Sequence, residues 1–266
     1  MDNRPIGVMD SGIGGLTAVK ALQQQLPNES IEFVGDQARL PYGVRSSEEI
    51  QLFSTQIAQF LLHRDIKLLI IACNTATAAA LPYLQNSLPI PVIGVIEPGS
   101  EAALRLPAHK VIGVIGTKKT IEDQAYSDTI HRLDSSVKVI GLACQEFVTL
   151  VEDDLAGSQQ AQEEVADKLT FFDGQNVDVL ILGCTHFPLL EDEISNVMGT
   201  RVPLIDAGAA TIRNVEDLLV RKNMLAQPNK GTAHFYTTGN PEKFNEVASK
   251  WLNNEHLKIE KIELGD

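Results

Sequence analysis

The sequence predicts an α/β fold of two similar halves, each built on a mainly parallel sheet. Three observations predict it. Short apolar runs rich in Val, Ile and Leu recur at 6–9, 31–34, 68–72, 92–96, 111–115, 137–142, 177–182, 202–205 and 235–238, and their unbroken apolar character suits strands buried on both faces. Amphipathic segments fill the intervals, so strand and helix alternate, which implies right-handed crossovers between parallel strands. The order also repeats, since residues 5–97 and 111–206 both read βαβαβαβ.

Composition narrows the function classes. The 266 residues allow one large domain or two small ones, and 44% hydrophobic content is enough for a packed core. A net charge of −13 repels phosphate backbones and anionic lipid, so neither nucleic acid nor a membrane is an expected partner. No apolar run approaches the ~20 residues that span a bilayer. Met1-Asp2-Asn3-Arg4-Pro5 is polar and runs straight into a strand, without the pattern of a signal peptide, so the expected location is cytoplasmic. Three irregularly spaced cysteines do not form a disulfide framework. A thiol kept free in a reducing compartment serves either packing or chemistry.

Taken in chain order, the first run leads into Met9-Asp10-Ser11-Gly12-Ile13-Gly14-Gly15 and a helix. The glycines permit a tight turn and a close approach of backbone to ligand. The loop is not a dinucleotide fingerprint, because Thr17 stands where a third glycine belongs, and it lacks the Gly-Lys-Ser/Thr of a Walker loop. Asp10, at a strand end, can hold a substrate ammonium or assist a thiol. Pro41-Tyr42-Gly43, after the second run, reads as a turn. Ser46-Ser47-Glu48-Glu49 offers a capping box for a helix whose apolar face is Ile50, Phe53, Ile57, Phe60 and Leu61.

The third run of each half ends in a comparable segment: Ala72-Cys73-Asn74-Thr75 in one, Gly183-Cys184-Thr185-His186 in the other. Ligands of open α/β sheets bind beyond the carboxyl ends of strands, and a helix N-terminus stabilises a thiolate or an anion. A cysteine there is either a small core residue or a reactive thiol, and Asn74, Thr75 and Thr77 add donors for a polar ligand. Cys184 and His186 are too few for a metal site, and as a nucleophilic pair they must meet in space. Two equivalent thiols in halves that face each other would point at one cleft. Gly116-Thr117 and Thr120 offer hydroxyls that either bind a carboxylate or cap a helix. Glu152, on a helical stretch, reads as a solvated glutamate, and Cys144 as structural. The stretch from about 207 holds a helix, a strand and a helix opened by Asn240-Pro241. It is expected to return to the first half, giving domains of 1–97 plus 207–266 and of 98–206.

Gly7-Val8-Met9-Asp10-Ser11-Gly12-Ile13-Gly14-Gly15, Pro41-Tyr42-Gly43, Ala72-Cys73-Asn74-Thr75-Ala76-Thr77, Gly94-Val95-Ile96-Glu97-Pro98-Gly99 and Gly183-Cys184-Thr185-His186-Phe187-Pro188 occur together in this order. With them the chain resembles the bacterial glutamate racemases over essentially its whole length. The related aspartate racemases share the two-cysteine plan but differ after the second cysteine, where His186 points to the glutamate branch. The resemblance implies two Rossmann-like α/β domains with the active site in the cleft between them and no cofactor. It implies Cys73 and Cys184 as acid and base, Asp10 and His186 as their assistants, and Glu152 as a further assisting candidate. Asp10, Ser11, Tyr42, Gly43, Asn74, Thr75, Thr185 and His186 would then surround L- or D-glutamate. It further implies a homodimer that supplies D-glutamate for peptidoglycan. The long N-terminal extension of some members, linked there to activation by a cell-wall precursor, is not seen, so that dependence is not implied. The other readings are an aspartate racemase, a non-catalytic glutamate-binding protein and a Cys–His hydrolase. Neither of the last two needs a second thiol.

Overall fold

Runs that are apolar on both faces need cover on both faces, and the strands obtain it. The computed structural model describes residues 1–265. Its first sheet contains β1 (Ile6–Asp10), β2 (Ile31–Gly35), β3 (Leu68–Ile71), β4 (Val92–Gly94), β9 (Ala233–Thr237) and β10 (Ile259–Lys261) in the order β10-β9-β2-β1-β3-β4. The second contains β5 (Val111–Gly116), β6 (Lys138–Ala143), β7 (Val179–Gly183) and β8 (Leu204–Asp206) in the order β6-β5-β7-β8. All pairings are parallel. The order β2-β1-β3-β4 is therefore repeated as β6-β5-β7-β8, and the repeat read in the sequence is a repeat of topology.

The helices are α1 (Leu16–Gln25), α2 (Ser47–Leu62), α3 (Asn74–Ser87), α4 (Ile96–Leu104), α5 (Lys118–Glu122), α6 (Ala125–Leu133), α7 (Glu146–Glu152), α8 (Gln159–Leu169), α9 (Glu191–Met198), α10 (Ala207–Arg221) and α11 (Pro241–Leu252). The period of two along β3 sends Leu68 and Ile70 into a core shared with α1, α10 and α11, and Leu69 and Ile71 into one shared with α2 and α3. In the second sheet Val179 and Ile181 pack beneath α4 and α6, while Leu180 and Leu182 face α7 to α9. The capping box forms: Glu49 N–H donates to Ser46 Oγ at 3.2 Å and Ser46 N–H to Glu49 Oε2 at 3.0 Å. Asn240 caps α11 by accepting from Lys243 N–H at 3.0 Å.

Two elements differ from expectation. The strand expected over 92–96 stops at Gly94, and Ile96 opens α4. Apolar side chains fit either state there, and Pro98 is tolerated because it falls in the first helical turn. The short β10 was not anticipated. Its sequence, Ile259-Glu260-Lys261, has no apolar run because its faces are largely exposed; it pairs with β9 at the sheet edge, where charged residues discourage further pairing. Among the described residues no helix is long and apolar enough to cross a membrane.

The amino-terminal ends of the first-sheet strands are tied by one buried ion pair. The Lys67 ammonium lies 2.5 Å from Glu29 and donates to the carbonyls of Asp2 at 2.6 Å and Met224 at 2.7 Å. Glu29 also accepts from Ala226 N–H at 2.8 Å. The pair thus joins the chain start, the turn before β2, the approach to β3 and the connection from α10 to β9. Removing one partner leaves a buried charge alone, so Lys67→Met is expected to cost ~3–5 kcal/mol in urea unfolding, with Glu29→Leu in the same chain recovering part of it. A loss below about 1 kcal/mol would show that the pair carries no such weight.

Candidate active site

The carboxyl ends of β1 and β3 meet those of β5 and β7 across the line between the halves. In each sheet the chain leaves neighbouring strands in opposite directions at that point, the usual place for a ligand crevice. A recess of about 800 Å³ beside β9 lies at the other ends of the strands and is lined by Ile31, Ala233 and His234, with neither sheet's third strand end near it.

Cys73 is buried at the N-cap of α3. Its sulfur accepts from Ala76 N–H at 3.4 Å, and its thiol donates to Ser11 Oγ at 3.5 Å. Burial, and next the charge of Asp10, push the thiol up to about 12, against the hydrogen bonds from Ser11 and Ala76. Cys73 therefore rests as a neutral thiol. Asp10, fully buried at the end of β1, accepts from Gly12 N–H at 3.0 Å and from Thr185 Oγ1 of the opposite half at 3.2 Å. Burial holds its carboxyl above the usual range, opposed by the charge of His186 and by backbone N–H donors.

Cys184 follows β7, but no α-helix begins there. A single 3-10 turn, Phe187–Leu190, intervenes before α9. An imidazole stands in for the helix end: His186 Nδ1 lies 3.7 Å from Cys184 Sγ, and His186 Nε2 lies 2.7 Å from Glu152 Oε1 at the end of α7. Burial would lower the His186 pKa, but the hydrogen bonds to Cys184 and Glu152 outweigh it and raise the imidazole to about 10. A protonated ring donates to both neighbours and can exchange a proton with Cys184, while Glu152 balances its charge.

Both cysteines line a cavity of about 20 Å³ together with Ser11, Tyr42, Gly43, Asn74, Thr75, Thr117, Thr185 and His186. A space of that size holds little more than a water molecule, so the halves stand closed on one another here. Two glycines let them close this far. A Cβ on Gly14 would overlap Thr185 Oγ1 and stand 2.8 Å from His186 Nδ1, and one on Gly43 would overlap Gln145 Oε1 and stand 2.9 Å from Thr117 Cβ. Hydroxyls complete the seal, with Thr75 Oγ1 at 2.9 Å from Thr117 Oγ1 and 3.3 Å from Thr120 Oγ1.

Asp10, Thr120 and Glu152 stand behind the cavity wall rather than on it. Thr117 does cap α5, accepting from Thr120 N–H at 3.3 Å, and lines the cavity as well. Glu152 is not the solvated glutamate that helix position alone indicates, because His186 takes its carboxylate. Tyr42 is not part of a plain turn: its ring is buried, and its hydroxyl donates to Asp36. Cys144 is buried among apolar side chains and does not line the cavity. Three neighbours were missed. Asp36 is buried just past β2, where it takes Arg39 Nε at 2.7 Å, Thr238 Oγ1 at 2.8 Å and Tyr42. Gln145 lines the cavity just past β6. The strand-end rule that drew attention to Asp10 reaches both. Tyr126, inside α6, carries no local signal.

The family model for Asp/Glu/hydantoin racemases matches residues 6–215. The chain belongs to that family. This racemase is an isomerase, and its likeness to individual members is close. It is 48% identical to the glutamate racemase of Limosilactobacillus reuteri, covering 100% of this chain and 99% of the relative. Its fold superposes on a crystal structure of a glutamate racemase isoform from Bacillus anthracis with a TM-score of 0.96 at 40% identity, covering 99% of each chain. It superposes on the Francisella tularensis glutamate racemase in complex with D-glutamate with a TM-score of 0.92 at 38% identity, again over 99% of each.

The raised His186 pKa has a consequence for folding. A group held above its unfolded value contributes stability that is full below the unfolded pKa of ~6.5 and is lost as pH rises through the folded value of about 10. The unfolding free energy of the parent minus that of His186→Gln is therefore expected to be largest near pH 6 and to shrink steadily up to about pH 10 in denaturant titrations. A difference that grows over this span would contradict the Cys184–His186–Glu152 arrangement.

Proposed function

We propose that this racemase interconverts L- and D-glutamate by two-base proton transfer at Cα, with Cys73 and Cys184 acting from opposite faces. One observation carries the reading: two buried thiols, at equivalent strand ends of two opposed halves, line a single cavity. One thiolate takes the Cα proton and the opposite thiol returns one to the other face, which is general acid–base catalysis by cysteine. Cys73 rests protonated and suits the donor role, with Asp10 beside it to receive or return its proton in the reverse direction. His186 plays that part for Cys184, with Glu152 holding the ring.

Glutamate is favoured by the names of the relatives and by the D-glutamate in the Francisella tularensis structure. The cavity chemistry agrees. Ser11, Asn74, Thr75, Thr117, Thr185 and the N-terminus of α3 offer donors for two carboxylates. No cofactor enters this scheme, so fixed donors and exclusion of water must carry the stabilisation of the developing carbanion. We read 1–97 with 207–266 as one closing unit and 98–206 as the other, parting to admit substrate. In the same reading the enzyme is a cytoplasmic homodimer whose D-glutamate enters peptidoglycan.

In heavy water each turnover is expected to place solvent deuterium at Cα, and Cys73→Ala and Cys184→Ala are each expected to lower racemisation by at least about 10³-fold. Either variant near the parent rate would overturn the two-base scheme. L-aspartate, one methylene shorter, is expected to turn over ~10–200-fold less efficiently than L-glutamate. Equal rates would move the substrate assignment to the shorter acid.

A further inference from the structure

One buried side chain touches the neighbours of both thiols. The Tyr126 hydroxyl donates at 2.6 Å to Oδ1 of Asn74, the residue after Cys73. Its ring lies against Gly183, the residue before Cys184, where an added Cβ would stand 3.1 Å from Tyr126 Cε2. The hydroxyl also lies beside the first crossing of the chain between the halves. A Cβ on Gly99 at the first crossing would stand 3.5 Å from Tyr126 Oη, and 2.9 Å from the Cβ of Ala207 at the second. Burial and the charge of Asp206 keep this phenol far above its ordinary range, so it remains a donor at any working pH. An amide whose oxygen is taken by a donor has its orientation settled. The two Nδ2 hydrogens are left as the part of Asn74 that meets a ligand in the cavity it lines.

We propose that Tyr126 is a positioning residue: its hydroxyl, delivered from the second half, sets the Asn74 amide so that Nδ2 donates to a substrate carboxylate when the halves close. The inference rests on the glutamate reading above and adds to it how closure builds the binding site. A phenylalanine would pack the same space but leave Oδ1 without its donor and the amide free to turn.

The test compares Tyr126→Phe, Asn74→Ala and the double variant with the parent, measuring the D-glutamate Kd by calorimetry, kcat and KM in both directions, and the thermal midpoint. Tyr126→Phe is expected to raise Kd and both KM values about tenfold, with kcat changed less than about threefold and the midpoint little moved. It is expected to add nothing once Asn74 is alanine, because residues that act through one another are not additive. Unchanged Kd and KM, an equal increment in the Asn74→Ala background, or a lowered midpoint with kcat loss alone would each overturn the proposal. A parent chain that binds glutamate without exchanging its Cα proton would instead overturn the racemisation reading, and the Kd comparison would still decide the role of Tyr126.

Discussion

Hydrogen bonds between the two halves hold the ends of β3 and β7 face to face. Asp10 at the end of β1 takes Thr185, Thr75 meets Thr117 and Thr120, and Asn74 receives Tyr126. One partner of each bond, Thr185, Thr75 or Asn74, lies within two residues of a cysteine, so the contact that closes the cleft also sets where the sulfurs stand. Two-sided chemistry at one carbon needs this opposition, because a single sheet offers ligand-facing ends on one side only. Repeating the β2-β1-β3-β4 order supplies the second side, and glycine at positions 14 and 43 removes the atoms that would keep the sides apart.

The halves repeat in topology but not in electrostatics. Cys73 uses the end of a helix, a serine and a buried carboxyl. Cys184 faces an imidazole that is itself held by a glutamate. The difference follows from local sequence. Asn74 continues directly into α3, whereas Phe187-Pro188 after His186 forms a 3-10 turn that delays α9. The Asp10 position is also unmatched, since β5 ends in Gly116 where β1 ends in Asp10. The proposed two-base reaction at Cα would thus draw on two different proton environments. In so small a cavity each is tuned by its own neighbours, because polar groups act more strongly on one another at low local dielectric.

The core was legible because burial on both faces leaves a nearly continuous apolar run, as in β3, β5 and β7. β10 carries none, and an edge strand does not require it. At the site, Asp10, Cys73, Thr117 and Cys184 could be singled out by position, since each falls at or just past a strand end. Glu152 and Tyr42 could not, because a helical glutamate and a Pro-Tyr-Gly turn look the same whether they face water or a neighbour. His186 meets Glu152 of α7 in a contact that no local pattern announces.

By itself the sequence determined the alternation of strand and helix, the doubled order and the placement of one thiol at each third strand end. These depend on periodicity and on short-range turn chemistry, which a single chain segment contains. Only the tertiary structure decided that the two thiols share one cavity, that Glu152 holds His186 and that Tyr126 reaches Asn74. Each of those is a contact between residues distant in sequence. Its existence depends on how two halves pack, and packing is settled by the fit of whole surfaces rather than by the pattern of any one segment.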